Sequence, residues 1–280
     1  MTDWQEYIPA AGESVVGSIL WLPELESPQL GNARDLLVYL PPSYASEPER
    51  RYPVLYMHDG QNLFDAGTSF SGEWAVDQTL EAGSVHGLEA IVVGIPNTGP
   101  DRTAEYSPFR DAKHGGGRGE AYLRFLIETV KPRIDADFRT LPDRPHTGIA
   151  GSSMGGLISL YAFFRRRDIF GFAGVMSPSL WFARGAVLDW VERQPFAGGR
   201  IYIDAGMKEG ARTVADVTRL RDALERMGYR QLHDLLCVVD TAGDHSERSW
   251  SRRLHRQLHF LLGVPRPGRA AAAENAAVEG

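Results

Sequence analysis

Cysteine is almost missing from this chain: one residue of 280, Cys237, is a cysteine. An internal disulfide and a cysteine-clustered metal site are therefore excluded. Cys237 lies in the apolar run Leu235-Leu236-Cys237-Val238-Val239, which reads as a strand carrying a buried, inert thiol. Long apolar runs are missing as well. No stretch of about 18 apolar residues occurs, so no segment reads as a membrane-spanning helix. Long runs of like charge are absent too. With a formal net charge of −6 and 24% charged residues, neither nucleic acid nor a membrane surface is expected as a partner. The opening Met1–Glu6 has no basic region followed by an apolar core, so a cytoplasmic, soluble protein is expected.

What the chain has is alternation. Strand-like apolar segments fall near 14–21, 34–40, 53–58, 89–95, 146–151, 171–176, 200–205 and 234–240. Helical patterns fall near 72–83, 119–135, 155–166, 211–228 and 246–262. In the fourth, Val214, Val217, Leu220, Leu224 and Met227 form one stripe; in the last, Trp250, Leu254, Leu258 and Leu261 do. Leading strands followed by strands alternating with helices predict an α/β fold. Its sheet is expected to be twisted and mostly parallel, with helices on both faces and an antiparallel N-terminal edge. No internal repeat or Gly/Pro-rich linker divides the pattern, so residues 1–263 are expected to form a single domain. Residues 264–280, with Pro265, Pro267 and an Ala-rich end, are expected to be a disordered tail. The long break at 97–118 leaves the carboxyl end of the 89–95 strand, where such sheets bind ligands, and is expected to shape a substrate site.

Gly151-Ser152-Ser153-Met154-Gly155 joins the strand at 146–151 directly to a helix. In that context G-x-S-x-G marks a nucleophile elbow. Ser153 would sit at the apex of a strained turn, and side chains at 151 or 155 would collide with the neighbouring strand and helix. The plain alternative is a small-residue turn used for close packing. A serine nucleophile needs a base, and that base needs an acid to fix its tautomer. His245, in the loop after the last strand, lies on the elbow's side of the sheet, whereas His233 begins a strand at the far end. His255 and His259 have i,i+4 spacing without a companion ligand and read as helix-surface residues, so a metal-dependent hydrolase is disfavoured. For the acid, Glu209 lies just past the 200–205 strand and is preferred, with Asp204 inside that strand as the alternative. Asp244 is too close in sequence to His245 to orient it. The backbone N–H groups of Met154 and Gln61 are the expected oxyanion donors, Gly60 allowing the loop before Gln61 to turn sharply. His114-Gly115-Gly116-Gly117 follows no strand and reads as a flexible loop.

These residues resemble the putative-esterase family of α/β-hydrolases. That group includes siderophore (enterobactin-type), feruloyl and acetylxylan esterases, S-formylglutathione hydrolases and mycolyltransferases. The resemblance rests on Tyr56–Asp65, Asp101–Tyr106, Gly151–Gly156, Ser177–Trp181 and Asp204–Glu209, spread in order over about residues 35–262. It implies an α/β-hydrolase fold, a triad of Ser153, Glu209 and His245, oxyanion donors at Gln61 and Met154, and a place near the substrate for Arg102 and Trp181. The bland readings of the last two are a solvated loop arginine and a core-capping tryptophan. The expectation is a serine ester hydrolase acting on a small-molecule ester without a cofactor. Its rivals are an acyltransferase sharing the acyl-enzyme and a binding protein that has lost turnover.

Overall fold

In the computed structural model, residues 3–9, 14–70 and 72–263 are described; the expected tail at 264–280 lies outside them. Among the described residues, no helix is long and apolar enough to cross a membrane. In chain order the elements are β1 (Gln5–Glu6), β2 (Ser18–Ser27), β3 (Asn32–Leu40), α1 (Ser43–Ser46), β4 (Val54–His58), α2 (Val76–Ser84) and β5 (Ile91–Ile95). Next come α3 (Arg102–Glu105), β6 (Arg110–Asp111), β7 (Gly115–Gly116), α4 (Gly119–Phe125) and α5 (Lys131–Asp137), with a π turn over Leu126–Val130 joining the last two. The remainder is β8 (Thr147–Ser152), α6 (Met154–Arg165), β9 (Phe172–Met176), α7 (Ala186–Val191), β10 (Arg200–Gly206), α8 (Ala211–Met227), β11 (Leu235–Asp240) and α9 (Glu247–Leu262).

Nine strands form one sheet in the order β1-β2-β3-β5-β4-β8-β9-β10-β11. The pairings β1–β2, β2–β3 and β3–β5 are antiparallel and the rest are parallel, as the leading strands predict. Strands β4, β5, β8 and β9 are buried along their whole length, so their apolar runs serve both faces in turn. On β4, Val54 and Tyr56 join one core with α4, α6 and α8, while Leu55 and Met57 join the opposite core with α2 and α9. From β4 the chain winds outward to β5, then returns to the other side of β4 to make β8. The connections therefore diverge between β4 and β8, opening a crevice at the strands' carboxyl ends.

Short elements such as β1 and α1 have no counterpart in the sequence pattern, and three further differences bear on the site or the sheet. Strand β2 runs on to Ser27 through Pro23, because the register shifts between Leu22 and Leu25 and a bulge absorbs the proline. The break at 97–118 is not bare loop but holds a 3₁₀ turn, α3 and the β6–β7 hairpin. In that hairpin Gly116 has a φ of 92°, and a Cβ there would sit 2.3 Å from the Phe109 carbonyl oxygen. The His114–Gly117 segment is thus part of a hairpin in which Gly116 leaves no room for a side chain. Helix α7 was not anticipated, being too short for a legible period.

Candidate active site

The strands contribute from their carboxyl ends and the helices that follow them from their amino ends. Ser153 follows β8 directly, with φ 57° and ψ −120°, a backbone region that L-residues rarely occupy. Its N–H is held by the Met176 carbonyl at 3.0 Å, and its own carbonyl accepts from Ser179 N–H at 2.9 Å. The flanking glycines are required by His58 of β4. A Cβ on Gly151 would meet His58 Cδ2 at 3.0 Å, and one on Gly155 would meet His58 Cβ at 3.2 Å. His58 is itself buried, which pulls its imidazole pKa down to about 3, and its Nδ1 shares a hydrogen with Tyr122 Oη at 2.9 Å. It supports the turn as a neutral ring.

His245 stands in the loop between β11 and α9. Its Nε2 lies 3.0 Å from Ser153 Oγ and its Nδ1 lies 2.8 Å from Glu209 Oε2. Glu209 closes the 3₁₀ turn after β10, and its side chain is 1% exposed. Burial alone would raise the Glu209 carboxyl. Hydrogen bonds from His245, from the Ser177 hydroxyl and from Gly206 N–H outweigh burial and hold it below the ordinary glutamate value. Asp204 does not touch the imidazole. It is fully buried and accepts from Arg253 Nε at 2.7 Å, Tyr202 Oη at 2.9 Å and Ser177 N–H at 2.9 Å. Asp244 turns to the start of α9, accepting from Ser249 Oγ at 2.6 Å. His255 and His259 are exposed on α9. Among the described residues, no group of three or more His, Cys, Asp or Glu side chains is placed to hold a metal ion.

Gln61 sits in the 3₁₀ turn Gly60–Asn62 after β4, and Met154 is the first residue of α6. Both fall in a first helical turn, where N–H groups have no partner within the helix. Among the described residues neither N–H is given to a backbone carbonyl of a turn or cap. Gly60 does not make the sharp turn expected of it. Asp59 does, at φ 56°, and Gly60 is needed because a Cβ there would lie 2.6 Å from the backbone of Gly94 and Ile95.

Two cavities meet at Ser153 and His245. The larger, about 880 Å³, is lined by Gln61, Asn97, Arg102, Trp74, Phe70 and Trp250 among others. The smaller, about 340 Å³, is lined by Ser177, Pro178, Ser179, Trp181, Glu209 and Thr213. Arg102 is no solvated loop arginine: it grips Asp59 with Nε at 2.7 Å and Nη2 at 2.8 Å. Burial would raise the Asp59 carboxyl, but Arg102 and Asn97 hold it low, while the pairing raises Arg102. Trp181 does not cap the core. It is 42% exposed, edge-on to His114 at 5.4 Å, and walls the smaller cavity. Ser179 Oγ, 3.1 Å from Ser153 Oγ, was not singled out from the sequence, nor were Ser177 and Arg253.

The family model described as "Putative esterase" matches residues 27–261. The uncharacterized protein YbbA of Bacillus subtilis is 25% identical over 256 residues, covering 86% of this chain and 97% of that one. An endo-1,4-beta-xylanase/feruloyl esterase of Xylanibacter ruminicola is 24% identical over 242 residues, which are 84% of this chain but 30% of the relative. Among solved structures, an enterobactin esterase from Shigella flexneri superposes with a TM-score of 0.70 at 20% identity, covering 90% of this chain and 60% of the other. The chain thus spans nearly all of the first relative and under two thirds of the other two.

Proposed function

This chain belongs to the putative esterase family and is a carboxylic ester hydrolase, and we propose that it works through an acyl-enzyme on Ser153. The observation that carries the reading is the unbroken row Ser153 Oγ–His245 Nε2 at 3.0 Å and His245 Nδ1–Glu209 Oε2 at 2.8 Å, beginning at a positive-φ serine. His245 takes the Ser153 proton as Oγ attacks the ester carbonyl carbon. The carbonyl electron pair moves to oxygen, where the N–H groups of Gln61 and Met154 receive it; each such donor is typically worth about 3–4 kcal/mol in the transition state. The tetrahedral centre collapses, the carbon–oxygen ester bond breaks, and the leaving alkoxide takes the proton from His245. Water then repeats the sequence in reverse roles and frees the acid. The His245 side chain is 46% exposed, so water reaches the acyl-enzyme and hydrolysis is favoured over transfer to an alcohol.

The ester straddles Ser153, with its bulkier part in the larger cavity and its smaller part against Trp181. Arg102 and Asn97 offer polar contacts and Phe70, Trp74 and Trp250 offer rings, which suits an aromatic group bearing hydroxyls. Relatives named for feruloyl esters and for enterobactin make such esters the first to try. Turnover of a short-chain p-nitrophenyl ester tests the mechanism. Ser153→Ala is expected to lose about 10⁴-fold or more in kcat and to lose labelling by a fluorophosphonate. Equal rates in wild type and variant overturn it.

A further inference from the structure

We propose that Ser177, at the carboxyl end of β9, is the positioning residue that fixes the Glu209 carboxylate, and through it the proton on His245. The inference rests on the serine-hydrolase reading and follows from where hydrogens can lie.

Trp250 Nε1 and Arg253 Nη2 each lie 3.0 Å from Ser177 Oγ. Indole and guanidinium nitrogens only donate, and a hydroxyl has two acceptor positions and one hydrogen. Both acceptor positions of Ser177 are therefore filled from α9. Its hydrogen is left for Glu209 Oε1, 2.6 Å away. The Gly206 N–H reaches the same oxygen at 2.7 Å. Oε1 is thereby occupied from two sides, and Oε2 remains for His245 Nδ1. An acceptor at Oε2 requires the imidazole hydrogen to be on Nδ1, so Nε2 presents its lone pair to Ser153 Oγ. One hydroxyl with no freedom of direction, together with the Gly206 N–H, turns Oε2 toward His245 and so supports its tautomer.

The surroundings hold Ser177 in place against its own preference. Its φ is 40°, uncommon for a residue with a Cβ, and its N–H is gripped by Asp204 through both Oδ1 at 2.9 Å and the backbone oxygen at 3.1 Å. Asp204 also binds Arg253, at 2.7 and 3.2 Å, which aims the guanidinium at Ser177. Asp204 therefore anchors the support for the acid.

The test is a double-mutant cycle on p-nitrophenyl ester turnover. Ser177→Ala is expected to lower kcat by about 30-fold, part of the roughly 10⁴-fold cost of losing tautomer control, with KM within about twofold. In a Glu209→Gln background the same change is expected to cost under about twofold, because the group it acts through is gone. Undiminished kcat in Ser177→Ala, or the same fold loss in both backgrounds, overturns the proposal. Should alanine prevent folding, Ser177→Gly removes the same hydroxyl and accepts the positive φ, and the same outcomes decide. Ser153→Ala run alongside separates the two readings. Turnover surviving there removes the serine mechanism, whereas an inert Ser153→Ala beside a fully active Ser177→Ala removes only the role of Ser177.

Discussion

Glu209 and the pair Glu73–Asp77 are carboxylates taken out of water in different parts of the molecule, and they respond in opposite ways. At Glu209, burial is opposed by three hydrogen bonds and the carboxyl is held below its ordinary value. At Glu73 and Asp77, beside and within the first turn of α2, burial prevails over the hydrogen bonds, from Ser14 at Glu73 and from backbone N–H groups at Asp77. Glu73 is pushed up to about 7 and Asp77 to about 6, each also raised by a neighbouring carboxylate. Among the described residues, Glu73 Oε1 and Asp77 Oδ1 have no hydrogen-bond partner. Burial has the same sign at both places; at Glu209 the hydrogen bonds and the facing imidazole outweigh it, and at Glu73 and Asp77 they do not.

The largest effect expected from this contrast is at Glu209 itself. Glu209→Gln should lower kcat by about 10⁴-fold, because an amide cannot serve as an anionic acceptor for His245 Nδ1–H. Steady-state kinetics on a chromogenic ester would break the comparison if kcat survived. Asp204→Asn comes next and should act chiefly on stability. It leaves the buried Arg253 without the carboxylate that pairs with it, at a cost of about 3–5 kcal/mol in urea unfolding. The folded fraction should keep kcat within about tenfold. The reverse pattern, with Asp204 controlling turnover and Glu209 dispensable, would move the acid's role to Asp204.

The smallest effect is a pH dependence. Glu209, lowered from 4.5, adds stability that is full above about pH 4.5 and is lost as pH falls through its folded value. Glu73, raised from 4.5 to about 7, binds its proton more tightly when folded, so its contribution worsens as pH rises from about 4.5 to about 7. Glu73→Gln should therefore raise the melting temperature by about 2 °C at pH 8 and leave it unchanged at pH 5. A shift at pH 5 as large as at pH 8 would show that packing, not charge, is responsible.

The sequence carried the strands plainly, because Val54–Met57 is an unbroken apolar run between Pro53 and His58-Asp59, and Ile91–Ile95 is an apolar run stopped by Pro96. It also carried the relation of Ser153, Glu209 and His245, since each stands where a parallel strand ends and all such ends share one side of the sheet. Arg253 was illegible for the same reason that Trp250 was partly legible. On α9 both face inward, but a period of apolar residues shows only the tryptophan, and a buried arginine resembles a solvated one. Ser177 was quoted within a motif and given no role. Its partners come from β10, the turn after it and α9, and no local spacing links them.

The turn at Ser153 has one more consequence. Holding Ser153 at a φ of 57° loads the backbone at a single point, and the packing of His58, Met176 and Ser179 around it must resist that load in every folded molecule. A residue indifferent to handedness would relieve it. Under the proposed mechanism, selection for heat tolerance and selection for turnover thus pull this position in opposite directions, since a glycine there would fold more firmly but could not attack.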